Sequence, residues 1–235
     1  MSPYLAEFLG TMLLVTMGNG VVAGVALKGS KAQNAGYLVV VLGWGLAVAL
    51  AIYAVGRVSD GHLNPAVTLA LFVNGDFPGD RVLGYIASQF AGAFAGAILV
   101  WIHYMPHWKN TDSPADKLGV FSTGPAIRSL GANFVSEMIG TMILVLAILF
   151  IGANRFAEGL NPLVIGGLIV SIGLSLGGTT GFAINPARDL GPRVAHFILP
   201  IPGKGPSDWG YAWVPVLGPL AGGLLGSWLY NILFT

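Results

Sequence analysis

Six long apolar segments are the feature that most constrains this chain. They cover roughly residues 4–27, 36–56, 82–105, 131–153, 162–180 and 210–232. A helix needs about 20 predominantly apolar residues to cross the hydrocarbon core of a bilayer. Charged residues make up only 9% of the chain and its mean hydropathy is +0.75, whereas an ordinary soluble domain carries about 25% charged residues. The pattern therefore predicts an all-α membrane protein with six transmembrane helices.

The composition also excludes several classes of function. A formal net charge of +1 provides no basic surface for nucleic acid, so no nucleic-acid partner is expected. The chain has no cysteine, which rules out disulfides, zinc–thiolate sites and thiol nucleophiles. His103 and His107 have a spacing that suits a metal, but Pro106 lies between them and interrupts the helix. Neither a Ser/His/Asp set nor a phosphate-binding loop is present, so we expect no enzyme, no metal and no cofactor.

The chain repeats itself. The segment AEFLGTMLLV at residues 6–15 resembles SEMIGTMILV at residues 136–145, and this alignment places Glu7 opposite Glu137. We predict a single transmembrane domain, 1–235, whose repeat units cover roughly 4–105 and 131–232 and are connected by loop 106–130. Each unit contains three spans, an odd number, so the two units cross the membrane in opposite senses. Such inverted repeats are typical of transport proteins, whose binding path lies between the repeats.

An Asn-Pro-Ala tripeptide follows the second span of each unit, as Asn64-Pro65-Ala66 and as Asn185-Pro186-Ala187. Asn is a preferred N-cap and Pro is preferred at the first helical position. The apolar pieces that follow, Pro65–Phe72 and Pro186–Ile198, are too short to cross a membrane. We therefore predict two re-entrant half-helices whose N-termini meet near the membrane centre. A chance recurrence of a common turn is the alternative, and the equivalent positions in the two repeats weigh against it.

The residues just before the half-helices, 60–63 and 181–184, are expected to be extended. Non-helical backbone at membrane depth is tolerated only where it is buried in protein or lines a water-filled path. The backbone carbonyl groups of these residues therefore need a partner. Water or a hydroxylated solute would supply one.

These features resemble the aquaporin, or major intrinsic protein, family. The resemblance covers nearly the whole chain: both Asn-Pro-Ala motifs, the six spans, and the AEFLGT and SEMIGT sequences. Asp189, Arg193 and Pro215 are typical of its aquaglyceroporin branch, the glycerol uptake facilitators. One position departs from the branch pattern, because Gly124 lies where an aromatic residue is often found.

The resemblance implies an aquaporin-like fold and a passive channel for glycerol and other small neutral solutes, and also for water. It places the selectivity filter at Trp44, Gly173, Phe182 and Arg188. Water channels of the family typically have a histidine at the position of Gly173, so the glycine implies a wider gate. A strict water channel is the alternative within the same fold.

Several further roles follow from the predicted fold. Backbone carbonyls that line the path would come from Gly61, His62, Leu63, Gly181, Phe182 and Ala183. The amides of Asn64 and Asn185 would donate to a solute at the centre. Arg188 would hold solute hydroxyl groups; its alternative role is a simple ion pair with the adjacent Asp189.

Two acidic residues lie inside predicted spans. We interpret Glu7 and Glu137 as buried structural acids that accept hydrogen bonds from N–H groups of the loops before the half-helices. The alternative is a proton relay, which would make the protein a proton-coupled small-solute carrier that uses both residues.

The expected partners are small neutral solutes, the lipid bilayer and further copies of the chain. The candidate solutes are glycerol, water, urea, dihydroxyacetone, hydrogen peroxide and protonated lactic acid. The resemblance implies a homotetramer that crosses the cell membrane several times. Small residues recur at every fourth position in two segments, as Ser88, Gly92 and Gly96 and as Gly218, Gly222 and Gly226. We assign these residues to close helix packing within one chain.

Overall fold

The computed structural model describes residues 1–234, and over that range its long regular elements are all α-helices, connected by turns and loops. Thr235, the last residue of the predicted domain, lies outside the described residues. In chain order the helices are α1 (Pro3–Ala26), α2 (Tyr37–Ser59), α3 (Pro65–Asn74), α4 (Gly79–His103), α5 (Met105–Asn110), α6 (Pro114–Phe121), α7 (Leu130–Gly152), α8 (Asn161–Leu176), α9 (Pro186–Ile198) and α10 (Val214–Phe234).

Within residues 1–234, five helices are long and apolar enough to cross a membrane, namely α1, α2, α4, α7 and α10. The sixth predicted span, at 162–180, corresponds to α8, which has only 16 residues and is therefore about 24 Å long. It ends at Gly177, and residues 177–180 form turns that lead into the second Asn-Pro-Ala motif. With α3 and α9 as the half-helices, the predicted fold class is confirmed.

The connection between the repeats is more ordered than a plain loop. Residues 106–130 were expected to be a loop, but they contain most of α5 and all of α6. Pro106 and Pro114 each lie in the first turn of one of these helices, where a missing N–H costs no intrahelical hydrogen bond. Helix α4 thus ends at His103, three residues before Pro106, and α5 begins at Met105.

Helices pack with their backbones in contact at equivalent glycines in the two halves. A Cβ atom at Gly92 would lie 2.2 Å from the carbonyl oxygen of Phe8, and one at Gly222 would lie 2.2 Å from that of Met138. Any larger residue would force α4 away from α1, or α10 away from α7. The small residues therefore pack within the chain, as predicted.

Both half-helices begin at the expected asparagine. The Oδ1 atom of Asn64 accepts the N–H of Ala66 at 2.9 Å, and that of Asn185 accepts the N–H of Ala187 at 3.0 Å. Each helix has proline in its first turn. Helix α3 packs against α10 and α4, and α9 packs against α4, α10 and α6. These contacts surround both half-helices with protein.

Candidate functional site

The two Asn-Pro-Ala motifs are joined by a reciprocal pair of hydrogen bonds. Nδ2 of Asn64 donates to the carbonyl of Ile184 at 2.8 Å, and Nδ2 of Asn185 donates to the carbonyl of Leu63 at 2.8 Å. Each side-chain amide carries two N–H groups, so one N–H on each asparagine remains for another acceptor. The N-termini of the half-helices therefore meet in a geometry that their own side chains fix.

A buried carboxylate holds the loop before α3. Oε1 of Glu7 accepts the N–H of His62 at 3.0 Å, and Oε2 accepts the N–H of Leu63 at 2.7 Å. Ser59 Oγ and Gln89 Nε2 each donate to the same carboxylate at 2.7 Å. Glu7 is fully buried. With four donors around it, the charge is well compensated.

Glu137 has the equivalent position in the second half. Its two carboxylate oxygens accept the N–H groups of Ala183 at 3.0 Å and Ile184 at 2.8 Å. The side chain of Thr180 also hydrogen-bonds to it. In a trans peptide the carbonyl before each bound N–H group points the opposite way, so the carbonyls of Gly61, His62, Phe182 and Ala183 face away from the two carboxylates. Those of Leu63 and Ile184 accept the asparagine amides.

The loops themselves are not extended, which corrects the prediction for residues 60–63 and 181–184. The backbone has positive φ at Asp60 (64°), Leu63 (54°), Phe182 (41°) and Ile184 (43°). In an extended strand successive N–H groups point in opposite directions. Two neighbouring N–H groups can reach one carboxylate only if the backbone departs from that alternation. The buried acids thus impose a strained backbone, which bulky residues rarely adopt.

Sequence reasoning missed the polar residues that surround the first loop. Gln89 donates to both Glu7 and Thr68, at 2.7 and 2.9 Å. Nδ1 of His62 lies 3.1 Å from the Thr68 hydroxyl. Gln89 is a polar residue inside an apolar span, and such residues are costly in lipid unless they have a partner. That cost was the signal by which Gln89 could have been found.

A cavity of about 190 Å³ runs past the two motifs. Trp44, Phe182 and Arg188 line one end, and Asp60 and Asn161 line the other. Between them it is bounded by both motif asparagines and by the loop residues, which include Gly61, His62, Leu63 and Ala183. The remaining wall consists of branched apolar side chains, among them Leu14, Val48, Ile52, Val67, Leu144, Ile148 and Ile169. The cavity therefore has one polar wall and one apolar wall.

Other predicted site residues lie next to this cavity without lining it. Pro65, Ala66, Pro186 and Ala187 are buried in the first turns of the half-helices. Gly181 is the first residue of the second loop, with a φ of 83°, and it is not part of the observed wall. These residues shape the site rather than border it.

The end of the cavity at Trp44 and Phe182 is built around Arg188. Its guanidinium carbon lies 3.9 Å from the centre of the Trp44 ring, and the side chain is only 7% exposed. The structure shows no ion pair to it from the described residues. The N–H groups of the guanidinium are therefore available on the cavity side.

Asp189 pairs with Arg193 and not with Arg188, so the alternative role for Arg188 is wrong. Oδ1 of Asp189 lies 2.9 Å from Nε and 2.8 Å from Nη2 of Arg193, and both side chains are fully buried. Oδ2 of Asp189 accepts the N–H and the hydroxyl of Thr123 at 2.7 Å. Arg193 also donates to the carbonyls of Thr123 and Ser207 at 2.9 Å. This ion pair fastens α9 to two neighbouring loops.

Gly173, which was predicted to belong to the filter, contacts Phe182 instead of the cavity. It does not line the cavity. A Cβ atom on it would lie 3.0 Å from Cζ of Phe182 and 2.7 Å from Cγ1 of Val41. The missing side chain therefore makes room for the Phe182 ring, and the ring in turn borders the cavity.

The two histidines with metal-like spacing are not brought together with other ligands. Nδ1 of His107 lies 3.1 Å from the carbonyl of Lys28. His103 ends α4 and its ring packs edge-on against Tyr104. Over residues 1–234 no group of three or more His, Cys, Asp and Glu side chains could hold a metal.

Comparisons with known proteins agree with this architecture. The family model described as "Major intrinsic protein" matches residues 1–230. The chain is 63% identical to the "Probable glycerol uptake facilitator protein" of Thermotoga maritima over 234 residues, covering 100% of both chains. It is 62% identical to the "Glycerol uptake facilitator protein" of Bacillus subtilis over 234 residues, covering 100% of this chain and 85% of the relative.

The fold is also similar to a solved structure. The aquaglyceroporin from Plasmodium falciparum superposes with a TM-score of 0.85 at 33% identity, and the match covers 98% of this chain and 95% of that chain. The family match spans nearly the entire sequence, and the structural match includes the spans and the half-helices. This multi-pass membrane protein therefore belongs to the major intrinsic protein family, whose glycerol facilitators are channels and not enzymes.

Proposed function

We propose that the protein is a passive channel for glycerol and similar small neutral solutes, and also for water. One observation carries the proposal: a cavity with an apolar wall and a polar wall passes both Asn-Pro-Ala motifs and ends at Trp44, Phe182 and Arg188. The names of its relatives point to the same solute, because proteins from T. maritima and B. subtilis that are more than 60% identical are glycerol uptake facilitators.

The filter suits the two edges of a polyol. Trp44 and Phe182 would contact the carbon edge, while Arg188 would donate to the hydroxyl oxygens. Gly173 contributes to this arrangement because its lack of a side chain leaves room for the Phe182 ring. Because the donors are fixed before the solute arrives, lost hydration would be replaced at a small net cost.

Beyond the filter, the hydroxyl edge would meet backbone carbonyls and the asparagine amides. Glu7 and Glu137 bind the loop N–H groups from behind, so the carbonyls of Gly61, His62, Phe182 and Ala183 are acceptors that we assign to the path. The Leu63 carbonyl already accepts the Asn185 amide and would contribute through its second lone pair. Asn64 and Asn185 would each donate their remaining N–H to a solute oxygen at the centre. This alternation of acceptors and donors matches a chain of hydroxyl groups.

Cations would be rejected near Asn64 and Asn185, where the N-termini of the two half-helices meet. Each half-helix N-terminus carries a charge of roughly +0.5, which at about 4 Å and an effective dielectric constant of about 20 repels a monovalent cation by roughly 2 kcal/mol. The Arg188 guanidinium adds to this barrier. Neutral solutes have no such cost.

We infer that Glu7 and Glu137 are structural. Glu7 accepts four hydrogen bonds, and a carboxylate that exchanged protons in each cycle would have to release several of them. A proton-coupled carrier is therefore less well supported. A strict water channel is also less well supported. Such channels typically have a histidine at the position of Gly173, and in this protein the apolar ring of Phe182 packs against that position.

The wider assembly belongs to the same proposal. We propose that the domain consists of repeat units at roughly 4–105 and 131–232, that it forms a homotetramer in the cell membrane, and that each protomer has its own path. Urea, dihydroxyacetone, hydrogen peroxide and protonated lactic acid are further candidate solutes because each is small and neutral.

Proteoliposome swelling tests the function directly. After an osmotic step with glycerol, vesicles with the protein should shrink and re-swell much faster than protein-free vesicles, and a protonophore should not alter the rate. Rapid shrinkage with glycerol re-swelling at the protein-free rate would identify a strict water channel. A glycerol flux that follows the pH gradient would identify a carrier. The same vesicles rank the other four solutes.

A further inference from the structure

The ring of Phe182 borders the cavity, but the backbone conformation of Phe182 is not one that the residue would adopt without support from its neighbours. Its φ of 41° is a conformation that a bulky residue rarely adopts. Such a conformation persists only where surrounding groups determine it. The width of the filter therefore depends on whatever contacts this ring.

Helix α8 forms one side of that support. Two glycines one turn apart, Gly173 and Gly177, present bare backbone to the ring. A Cβ atom at Gly173 would lie 3.0 Å from Cζ of Phe182, and one at Gly177 would lie 2.6 Å from its Cδ1. The ring thus packs against bare backbone in the last turn of α8 and at the residue that caps this helix.

Tyr37 on α2 forms the other side of the support for the Phe182 ring. Its ring lies edge-on to that of Phe182, with centroids 6.3 Å apart and an interplanar angle of 86°, an arrangement that aromatic pairs prefer. Its hydroxyl is seated over Gly177, where a Cβ atom would lie only 2.2 Å away.

The position of Tyr37 on α2 explains this contact. Tyr37, Val41 and Trp44 follow the spacing of one helix face, and Trp44 and Val41 already contact Arg188 and the Gly173 position. Seven residues correspond to about 10 Å along the axis, so Tyr37 lies about two turns from Trp44 at the mouth. It does not line the cavity itself.

From this geometry we infer that Tyr37 is a positioning residue that sets the solute size limit by holding Phe182 in the filter. The inference rests on the proposed function, because it concerns the same path. Without the Tyr37 ring, Phe182 would lean toward the mouth and the gap between Phe182, Trp44 and Arg188 would widen. Longer polyols would gain more from this change than glycerol.

The test compares Tyr37→Leu and Tyr37→Phe in proteoliposomes, with xylitol, glycerol and water as probes. In Tyr37→Leu the ratio of xylitol to glycerol permeability should rise by about fivefold, which corresponds to about 1 kcal/mol of relative barrier. Tyr37→Phe keeps the ring and should retain the wild-type ratio. Leu38→Ala is the control, because Leu38 is adjacent on α2 and 55% exposed.

The outcomes are separable. An unchanged ratio of xylitol to glycerol permeability in a folded Tyr37→Leu channel would overturn the inference. If the ratio rises equally in Tyr37→Phe, the Tyr37 hydroxyl and not its ring sets the size limit, which would also overturn the inference. Tyr37 is 44% exposed, so Tyr37→Leu is expected to fold; Tyr37→Met, with the same expected rise, replaces it if it does not. Wild-type vesicles that fail to conduct glycerol would refute the proposed function instead.

Discussion

The side-chain amide of Asn64 donates to the backbone carbonyl of Ile184, 120 positions further along the chain, at 2.8 Å. The side-chain amide of Asn185 in turn donates to the backbone carbonyl of Leu63. Each asparagine therefore does two things: it caps its own half-helix and it ties down the loop in front of the other. The centre of the path is held by residues from both halves at once.

Replacing either asparagine by aspartate should damage this centre. In Asn64→Asp the carboxylate could still accept the N–H of Ala66, but it could no longer donate to Ile184, and its negative charge would cancel part of the cation barrier. We expect lower glycerol flux, a cation leak, or both, and the same for Asn185→Asp. Proteoliposome swelling combined with an ion-flux dye measures both quantities.

Asn110→Asp serves as the control for these variants, because Asn110 is an exposed residue at the end of α5 and does not line the cavity. Wild-type glycerol flux together with wild-type ion exclusion in both motif variants would contradict the proposed role of the two asparagines at the centre.

Glu7→Gln and Glu137→Gln should lower stability rather than alter coupling. A glutamine amide would place a donor against the loop N–H groups, so at least one hydrogen bond to a charged acceptor is lost, which costs about 1.5–3 kcal/mol. Thermal unfolding in detergent should occur at a lower temperature. Flux per folded channel should not depend on a pH gradient.

Glu158→Gln is the matched control, since Glu158 is an exposed acid in the segment between α7 and α8. The carrier alternative would instead be supported by a wild-type flux that follows the pH gradient and disappears in either buried variant.

Gly173→His should separate glycerol from water. The new side chain would occupy the space of the Phe182 ring and push it into the cavity. A steric barrier of about 3 kcal/mol would reduce glycerol permeability roughly a hundredfold. Water needs only a single-file gap, so its permeability should change by less than about tenfold, or roughly 1.4 kcal/mol. Stopped-flow light scattering measures both in one preparation.

Gly167→His provides the comparison, because it lies on the same helix and a Cβ atom there has no neighbour within 4 Å. If Gly173→His conducts glycerol as well as the wild type does, the contact between Gly173 and Phe182 does not set the filter.

The Arg128–Asp208 ion pair should make stability depend on pH in the acid range. Both residues lie in loops, and the Arg128 guanidinium donates two hydrogen bonds to the carboxylate, at 2.8 and 2.9 Å. These bonds lower the pKa of Asp208 below its ordinary value of 3.8. The stabilisation is therefore present above pH 3.8 and is lost as the pH falls through the lower, folded-state value.

Arg128→Gln should thus unfold at a slightly lower temperature than the wild type at neutral pH, and at the same temperature once Asp208 is protonated. The difference should be small because the pair is solvent-exposed. Lys109→Gln, which removes an unrelated exposed charge, controls for net charge. A difference that persists unchanged in acid would show that the pair has no such role.

The sequence alone determined the elements whose signals are local. A run of about 20 apolar residues predicts a span wherever it occurs, so α1, α2, α4, α7 and α10 could be placed in advance. Asparagine followed by proline defines a helix start through its own side chain and ring, and both half-helices begin where this signal placed them. The roles assigned to the filter residues came from a family resemblance and stay predictions until flux is measured.

Only the tertiary structure decided how distant residues meet. Asp189 could have paired with its neighbour Arg188, but Thr123 and Ser207 from other segments hold Asp189 and Arg193 in one buried network, and Arg188 is left at the cavity. The loops were expected to be extended, but Glu7 and Glu137 lie on other helices and draw adjacent N–H groups to one side. Gly173 matters because Phe182 packs against it. Each of these outcomes depends on a contact between residues from different segments of the chain, and neither apolar periodicity nor a local motif specifies such a contact.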